Sequence, residues 1–126
     1  MAIPNLSDKK ILIVEDDDMS FLYLNQLFLL TKAFVQREKT GTGALSEFKN
    51  GSYDLVLMDI QLPDMDGKQV TREIRKFNTE VPIIAQTASR AIDERDVIMQ
   101  SGCTDVLSKP FSMNEIFSLI EKYLLR

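Results

Sequence analysis

Short runs of apolar residues alternate along this chain with longer segments of helical periodicity, and this alternation restricts the possible folds more than any other feature. The apolar runs lie at residues 11–14, 55–58, 83–85 and 106–107, and a weaker run surrounds Phe34. Continuous apolar runs of this length are typical of parallel strands that are covered on both faces. The sequence therefore predicts five strands in one parallel sheet.

The segments between the runs carry apolar stripes at helical spacing. Val70, Ile74 and Phe77 repeat at i, i+4 and i+7, and residues 113–120 contain a second stripe. Because each strand signal is followed by a helix signal, the chain is predicted to be a flavodoxin-like (βα)5 domain of the α/β class. The expected sheet order is 2-1-3-4-5, with helices on both faces.

The length of 126 residues suits one domain with one substantial core. We assign residues 1–8 to an N-terminal extension and residues 9–126 to the domain. The start of the chain has no basic flank followed by an apolar stretch, so we expect a cytoplasmic protein without membrane contact.

Charge and composition exclude several function classes. The net charge is -4, which argues against direct binding of nucleic acid. The sequence has no histidine, so a serine–histidine–aspartate triad, an imidazole zinc site and a phosphohistidine within this chain are excluded. The single cysteine, Cys103, is predicted to be a buried filler without redox chemistry.

Acidic residues follow two strands that should be neighbours in the sheet. The first strand runs into the acidic residues 15–18, and the third runs into Asp59. Ligands of such sheets bind at the carboxyl ends of these strands. Asp17 or Asp18 is explained by helix capping, but acids packed around Asp59 need a cation nearby. Mg²⁺ fits, since it prefers oxygen ligands and shares carboxylates with phosphate.

Two potential donors lie at the ends of the remaining strands. Thr87 follows the fourth strand and Lys109 the fifth. A hydroxyl and an ammonium group at these positions are suited to stabilise the charge of a transferring phosphoryl group.

Four segments together resemble the signature blocks of response-regulator receiver domains of two-component signal transduction. They are Ile11–Asp16, Leu57–Gly67, Thr87–Ala88 and Lys109–Phe111. The similarity extends over roughly Lys9 to Leu125, in the order and spacing of the family. It identifies residues 9–126 as a receiver domain, either of a stand-alone regulator or of a hybrid sensor histidine kinase.

The resemblance implies a Mg²⁺-dependent phosphoacceptor. Glu15 and Asp16 would hold the ion, with Asp59 and the backbone carbonyl of Gln61 as further ligands. Asp59 would receive the phosphoryl group from a histidine kinase or a histidine-containing phosphotransfer domain.

The family also implies roles for the two donors and for the oligomeric state. Thr87 would reorient toward the phosphoryl group, and Lys109 would pair with it. The peptide bond before Pro110 is often cis in the family. A dimer linked to phosphorylation is a further expectation.

Four positions depart from the usual receiver pattern or tune it. Val106 stands where the family commonly has Tyr or Phe, so the aromatic switch that follows the threonine's movement cannot operate. Gln86 replaces an apolar residue, with no role that we can assign from sequence. Gln61 and Ser89 are not acids or bases that would activate water, which predicts slow self-dephosphorylation.

Two other function classes remain open. An aspartyl-phosphate hydrolase of the haloacid dehalogenase type would need a second Asp two positions after Asp59, where this chain has Gln61. A receiver that serves only as an interaction module is favoured by Val106 alone.

The first helix has more apolar residues than one stripe requires, which indicates either extra core or a docking surface that includes Leu22 and Tyr23.

Overall fold

A computed structural model describes residues 3–125 of the chain. In that range five strands alternate with five helices: β1 (Lys10–Val14), α1 (Asp18–Thr31), β2 (Phe34–Glu38), α2 (Gly41–Asn50), β3 (Leu55–Asp59), α3 (Gly67–Arg75), β4 (Ile83–Thr87), α4 (Ile92–Gln100), β5 (Asp105–Ser108) and α5 (Met113–Leu124). The strands form one parallel sheet with the order β2-β1-β3-β4-β5. The predicted fold class and strand order are confirmed.

Each face of the sheet has its own apolar core, because successive strand residues point to opposite sides. Leu57 packs with Phe28 of α1 and Phe117 of α5 on one face. Its neighbour Met58 packs with Val70 of α3 on the other face, which α2 and α4 also cover. Burial of one such large side chain contributes about 1.5–3 kcal/mol, and the two cores fix the strand ends that carry the polar residues.

The segment before β1 packs against the domain. Leu6 is fully buried in the core shared with α1 and α5. Its N–H donates to the carbonyl of Thr31 at 2.7 Å. The division of the chain at residue 9 stays a prediction.

Capping residues lie at the ends of several helices. Ser112 and Glu115 form a capping box, with each side chain accepting a backbone N–H of the other. Asp17 caps α1 by accepting the N–H of Ser20 at 2.8 Å, as the sequence predicts. Gly102 follows α4 with a φ of 107°, a conformation that favours glycine.

The predicted stripe on α3 is wrong at Phe77. The helix ends at Arg75, and Phe77 lies beyond it with 47% of its surface exposed. The side chain of Asn78 accepts the N–H groups of the two residues at positions 80 and 81, which turns the chain away from the helix. Phe77 instead contacts Phe48 of α2 at a ring-centroid distance of 5.8 Å.

Helix α1 has apolar residues on its exposed face as well as on its buried one. Leu22 and Tyr23 are 51% and 42% exposed. The exposed face also contains Met19, Leu29 and Leu30. The explanation by extra core is therefore wrong for this face, and the docking explanation remains. Among the described residues, no helix is long and apolar enough to cross a membrane.

Cys103 is buried, as the sequence predicts. Its thiol donates to the carbonyl of Ile98 at 3.3 Å. Burial raises the pKa of the thiol to about 11, so it is protonated at neutral pH and has little nucleophilic character.

Candidate functional site

Three carboxylates meet at the carboxyl ends of β1 and β3. Glu15 directly follows β1 and is fully buried, and Asp59 is the last residue of β3 and is nearly so. Asp16 is exposed at the rim. One oxygen of each side chain lies within 4.8 Å of the other two. The parallel pairing of β1 with β3 thus brings Glu15 and Asp16 close to Asp59, which lies more than 40 residues later in the sequence.

The ammonium group of Lys109 bridges the two buried acids. Its Nζ lies 3.2 Å from Oε1 of Glu15 and 3.4 Å from Oδ2 of Asp59. The backbone N–H of Lys109 donates to the carbonyl of Thr87 at 2.7 Å, which ties the ends of β4 and β5 together. The site therefore holds more negative than positive charge.

The pKa values of the site show this imbalance. Burial, together with the hydrogen bond and the negative charge of Asp59, raises the pKa of Glu15 to about 7, and the positive charge of Lys109 partly opposes this. Burial by itself lowers the pKa of Lys109, but the charges of Asp59 and Glu15 outweigh it and raise the pKa overall. A cation at this site would offset the repulsion between the acids.

Thr87 and Gln61 border the same site. Thr87 is buried at the end of β4, and its hydroxyl oxygen accepts the N–H of Ser89 at 3.1 Å. The backbone N–H of Gln61 donates to Oδ1 of Asp59 at 3.2 Å. Six sequence-predicted residues line one cleft of about 720 Å³: Glu15, Asp16, Asp59, Gln61, Thr87 and Lys109.

Gln86 has a position in the site that the sequence does not explain. It pairs in register with Asp59 and is 1% exposed. Neither polar atom of its side chain has a hydrogen-bond partner among residues 3–125. The sequence shows only that an amide residue interrupts an apolar strand. It does not predict which way the side chain of Gln86 points or that its amide lacks hydrogen-bond partners.

Val106 is buried in β5, where the switch aromatic of the family is missing. Its carbonyl accepts a hydrogen bond from Arg95 of α4 at 3.3 Å. The neighbouring Asp105 pairs with Arg95 at 3.1 Å and accepts the hydroxyl of Tyr123 at 2.8 Å. Polar contacts among Arg95, Asp105 and Tyr123 thus connect α4, β5 and α5.

A second, more apolar groove of about 520 Å³ adjoins the cleft. Tyr23 of α1 contacts Phe111 at a ring-centroid distance of 5.9 Å, and its hydroxyl donates to the carbonyl of Phe111 at 3.0 Å. Lys109 and Gln86 line both the groove and the cleft. The exposed apolar start of α1 is therefore continuous with the acidic site.

A parallel (βα)5 domain with this acidic cleft defines a class of signalling domains, and sequence comparison confirms it. The family model of the response regulator receiver domain matches residues 11–121. The chain belongs to the response regulator receiver domain family. It is a receiver domain of two-component systems, a kind of domain found in hybrid kinases and in response regulators.

Relatives in sequence include much longer proteins. The chain is 36% identical over 117 residues to the transcription factor SKN7 of Candida albicans, covering 91% of this chain and 21% of SKN7. It is 34% identical over 125 residues to the aerobic respiration control sensor protein ArcB of Escherichia coli K12, covering 98% of this chain and 16% of ArcB. The chain thus spans about a fifth or less of these relatives.

Solved receiver domains have the same structure. The receiver domain of the sensor histidine kinase PA1611 of Pseudomonas aeruginosa superposes with a TM-score of 0.87 and 32% identity, covering 94% of this chain and 98% of that one. That domain has a magnesium ion coordinated in its active-site cleft. The receiver domain of the response regulator TorR superposes with a TM-score of 0.84 and 32% identity, with the same coverage.

Proposed function

We propose that Asp59 accepts a phosphoryl group, in a Mg²⁺-dependent reaction, from a phosphohistidine on another protein. The observation that carries the proposal is the arrangement around Asp59, with two further carboxylates and the Lys109 ammonium in one cleft. No histidine occurs in this chain, so the donor is a separate protein or another domain.

The donor set of the cleft fits Mg²⁺. Three carboxylates supply hard oxygen ligands, and their mutual repulsion favours a divalent cation. We propose Glu15, Asp16 and Asp59 as ligands, together with the backbone carbonyl of Gln61. When bound, Mg²⁺ would neutralise negative charge on the acids and on the incoming phosphoryl oxygens.

The transfer forms one bond and breaks another. An oxygen of Asp59 attacks phosphorus in line with the leaving nitrogen, and the phosphorus–nitrogen bond breaks, leaving its electron pair on the imidazole. Lys109 shifts its hydrogen bond from the carboxylate to a phosphoryl oxygen. The hydroxyl of Thr87 donates to another phosphoryl oxygen, so both stabilise the charge of the transition state.

We propose that the donor docks on the exposed apolar start of α1 and the adjoining groove. The partner is a histidine kinase or a histidine-containing phosphotransfer domain, in keeping with relatives that are sensor kinases, such as ArcB and GacS. Leu22 and Tyr23 lie on this surface, which continues into the cleft. An apolar exposed patch of this kind commonly marks a partner surface.

Comparison of two kinds of donor tests the docking surface. Leu22→Asp is expected to slow transfer from a phosphorylated sensor kinase and to leave phosphorylation by acetyl phosphate unchanged. Ile92→Asp, which changes an exposed apolar residue of α4, is the matched control. Equal slowing by both variants, or slowing with acetyl phosphate, would contradict the docking surface.

The phosphorylated form is proposed to be long-lived. Neither Gln61 nor Ser89 is an acid or base that could activate water for attack on the phosphoryl group. The decay of the phosphorylated protein in Mg²⁺ measures this directly, and a lifetime of seconds would contradict the proposal.

We also propose a cytoplasmic location, where kinases have ATP. A phosphorylation-linked dimer remains a prediction.

Incubation with Mg²⁺ and acetyl phosphate tests the function itself by intact mass. We expect a gain of one phosphoryl group that is absent in Asp59→Asn and in the presence of a chelator. No gain in the wild-type chain would instead favour an interaction module, as Val106 suggests. Continuous release of phosphate, together with turnover of phosphomonoesters, would favour the hydrolase.

A further inference from the structure

The loop between β3 and α3 is fixed from within by several backbone contacts. Gly67, the first residue of α3, donates its N–H to the carbonyl of Ile60 at 2.8 Å. A Cβ atom at Gly67 would overlap the carbonyl oxygen of Asp59, so the helix approaches the acceptor residue closely. Gln61 and Asp66 also pair across the loop in an isolated β-bridge.

The same loop is held from outside by Asp64. Its Oδ1 accepts the N–H of Gly41 at 2.7 Å, and its Oδ2 accepts the N–H and the hydroxyl of Thr42 at 3.0 and 2.7 Å. These donors lie in the first turn of α2, more than twenty residues earlier in the chain. A side chain of the loop thus binds the free amide groups at the start of another helix.

Met65, the residue after Asp64, packs against the same turn of α2. A Cβ atom at Gly41 would overlap the side chain of Met65, so any larger residue there would force this side chain to move. Polar and apolar contacts from adjacent loop residues therefore converge on one helix end. The pKa of Asp64 is lowered to about 2 by hydrogen bonds to Thr42 and Gly41, which keeps the carboxylate ionised.

We infer that Asp64 is a positioning residue for the cation site, because it anchors the loop that presents Gln61 to Asp59. The loop begins at the acceptor residue, and Gln61 lies three positions before Asp64. Gln61 lines the cleft, and its N–H already contacts Asp59, so the anchor fixes this residue before any ligand binds. Groups that orient a metal ligand typically change metal affinity by 10–100-fold when removed. The inference rests on the proposed function, since it concerns the same cleft.

The test measures the dissociation constant of Mg²⁺ by calorimetry, alongside unfolding by urea in a chelator. Asp64→Ala is expected to raise the dissociation constant about 10-fold or more. Thr42→Val removes only the hydroxyl donor and is expected to raise it less. A dissociation constant for Asp64→Ala within twofold of wild type would overturn the inference.

Two controls separate positioning from loss of stability and from loss of charge. Ser112→Ala removes the cap of α5, far along the chain from the loop, and is expected to lower stability without changing Mg²⁺ affinity. Asp66→Asn removes the same charge from the same loop and keeps a side chain that can cap α3. Equal weakening by Asp66→Asn and Asp64→Asn would show a plain charge effect and overturn the inference.

The two proposals fail in different ways. If the wild-type chain binds no Mg²⁺, the proposed cation site fails and the positioning role fails with it. If the wild-type chain binds Mg²⁺ and Asp64→Ala binds it equally well, the cation site stands and only the role of Asp64 is contradicted.

Discussion

Glu15 and Asp59 are buried acids that share one ammonium group. The two negative charges against one positive charge dominate the electrostatics of the cleft. Lys109 lies within 3.4 Å of both. Burial and Asp59 raise the pKa of Glu15 to about 7. The two acids therefore repel each other, and a bound cation would reduce this repulsion.

Asp59→Asn is expected to stabilise the metal-free protein, because it removes one of the two buried acids that repel each other. The free energy of unfolding should rise by about 1 kcal/mol in a chelator at pH 8, as expected for charges a few ångströms apart in a partly screened site. Urea unfolding with and without Mg²⁺ measures this. In wild type Mg²⁺ should stabilise more than in the variant, and a variant less stable than wild type without Mg²⁺ would contradict the repulsion.

Gln86 is a second residue of the cleft that is expected to lower the stability of the fold. Its amide is buried without a partner among the described residues, and an unsatisfied buried polar group costs about 1–3 kcal/mol. Gln86→Met keeps the length of the side chain and removes the amide, so the free energy of unfolding should rise by about 1 kcal/mol. Gln100→Met, at an exposed position of α4, is the control and should change little. A less stable Gln86→Met would show that the amide has a partner in solution.

At the level of elements, the attachment of the β3–α3 loop to α2 makes a distinct contribution to stability at acid pH. The pKa of Asp64 is lowered from 3.8 to about 2 in the folded chain, through its hydrogen bonds to Thr42 and Gly41. A group with a lowered folded-state pKa stabilises the fold above its unfolded-state pKa, and loses this effect as the pH falls through the folded-state value.

The stability difference between wild type and Asp64→Asn should therefore depend on pH. We expect it to be constant above about pH 5 and to shrink as the pH falls from about 4 toward 2, where the wild-type carboxylate becomes protonated. Urea unfolding of both proteins at a series of pH values measures the difference. A difference that grows on acidification would show that Asp64 does not hold α2 through its ionised form.

The alternation of apolar runs and amphipathic segments was sufficient to predict the order of elements and the sheet topology, because strand burial and right-handed crossovers restrict both. The same pattern could not predict the surroundings of α1. A helix with apolar residues on two faces has the same sequence pattern whether its second face packs in the core or binds a partner. Phe77 was assigned to a stripe because the turn made by Asn78 leaves no mark on the periodicity.

The candidate site was predictable where strand ends alone bring residues together. Four of the predicted residues lie at the end of a parallel strand or directly after it, and all four line one cleft: Glu15, Asp59, Thr87 and Lys109. The anchor at Asp64 was not predictable, because its partners lie in a helix that precedes it by more than twenty residues and pattern within a segment carries no information about them.

At the scale of the whole molecule, an apolar core covers each face of the sheet, and polar residues gather at the carboxyl ends of the strands. The apolar face of α1, the groove and the acidic cleft follow one another along this edge. At the start of β5, Asp105 links α4 to α5 through its contacts with Arg95 and Tyr123. In the proposed function, phosphoryl transfer takes place in the acidic cleft at this edge, and the exposed face of α1 beside it binds the donor.

The most direct test of Asp59 as phosphoacceptor locates the modified residue chemically. The wild-type chain is incubated with acetyl phosphate and Mg²⁺, reduced with borohydride, which converts an acyl phosphate to an alcohol, and mapped by peptide mass spectrometry. We predict reduction at Asp59 alone, and none when a chelator replaces Mg²⁺. Reduction at another carboxylate, or none in the presence of Mg²⁺, would contradict the proposed function.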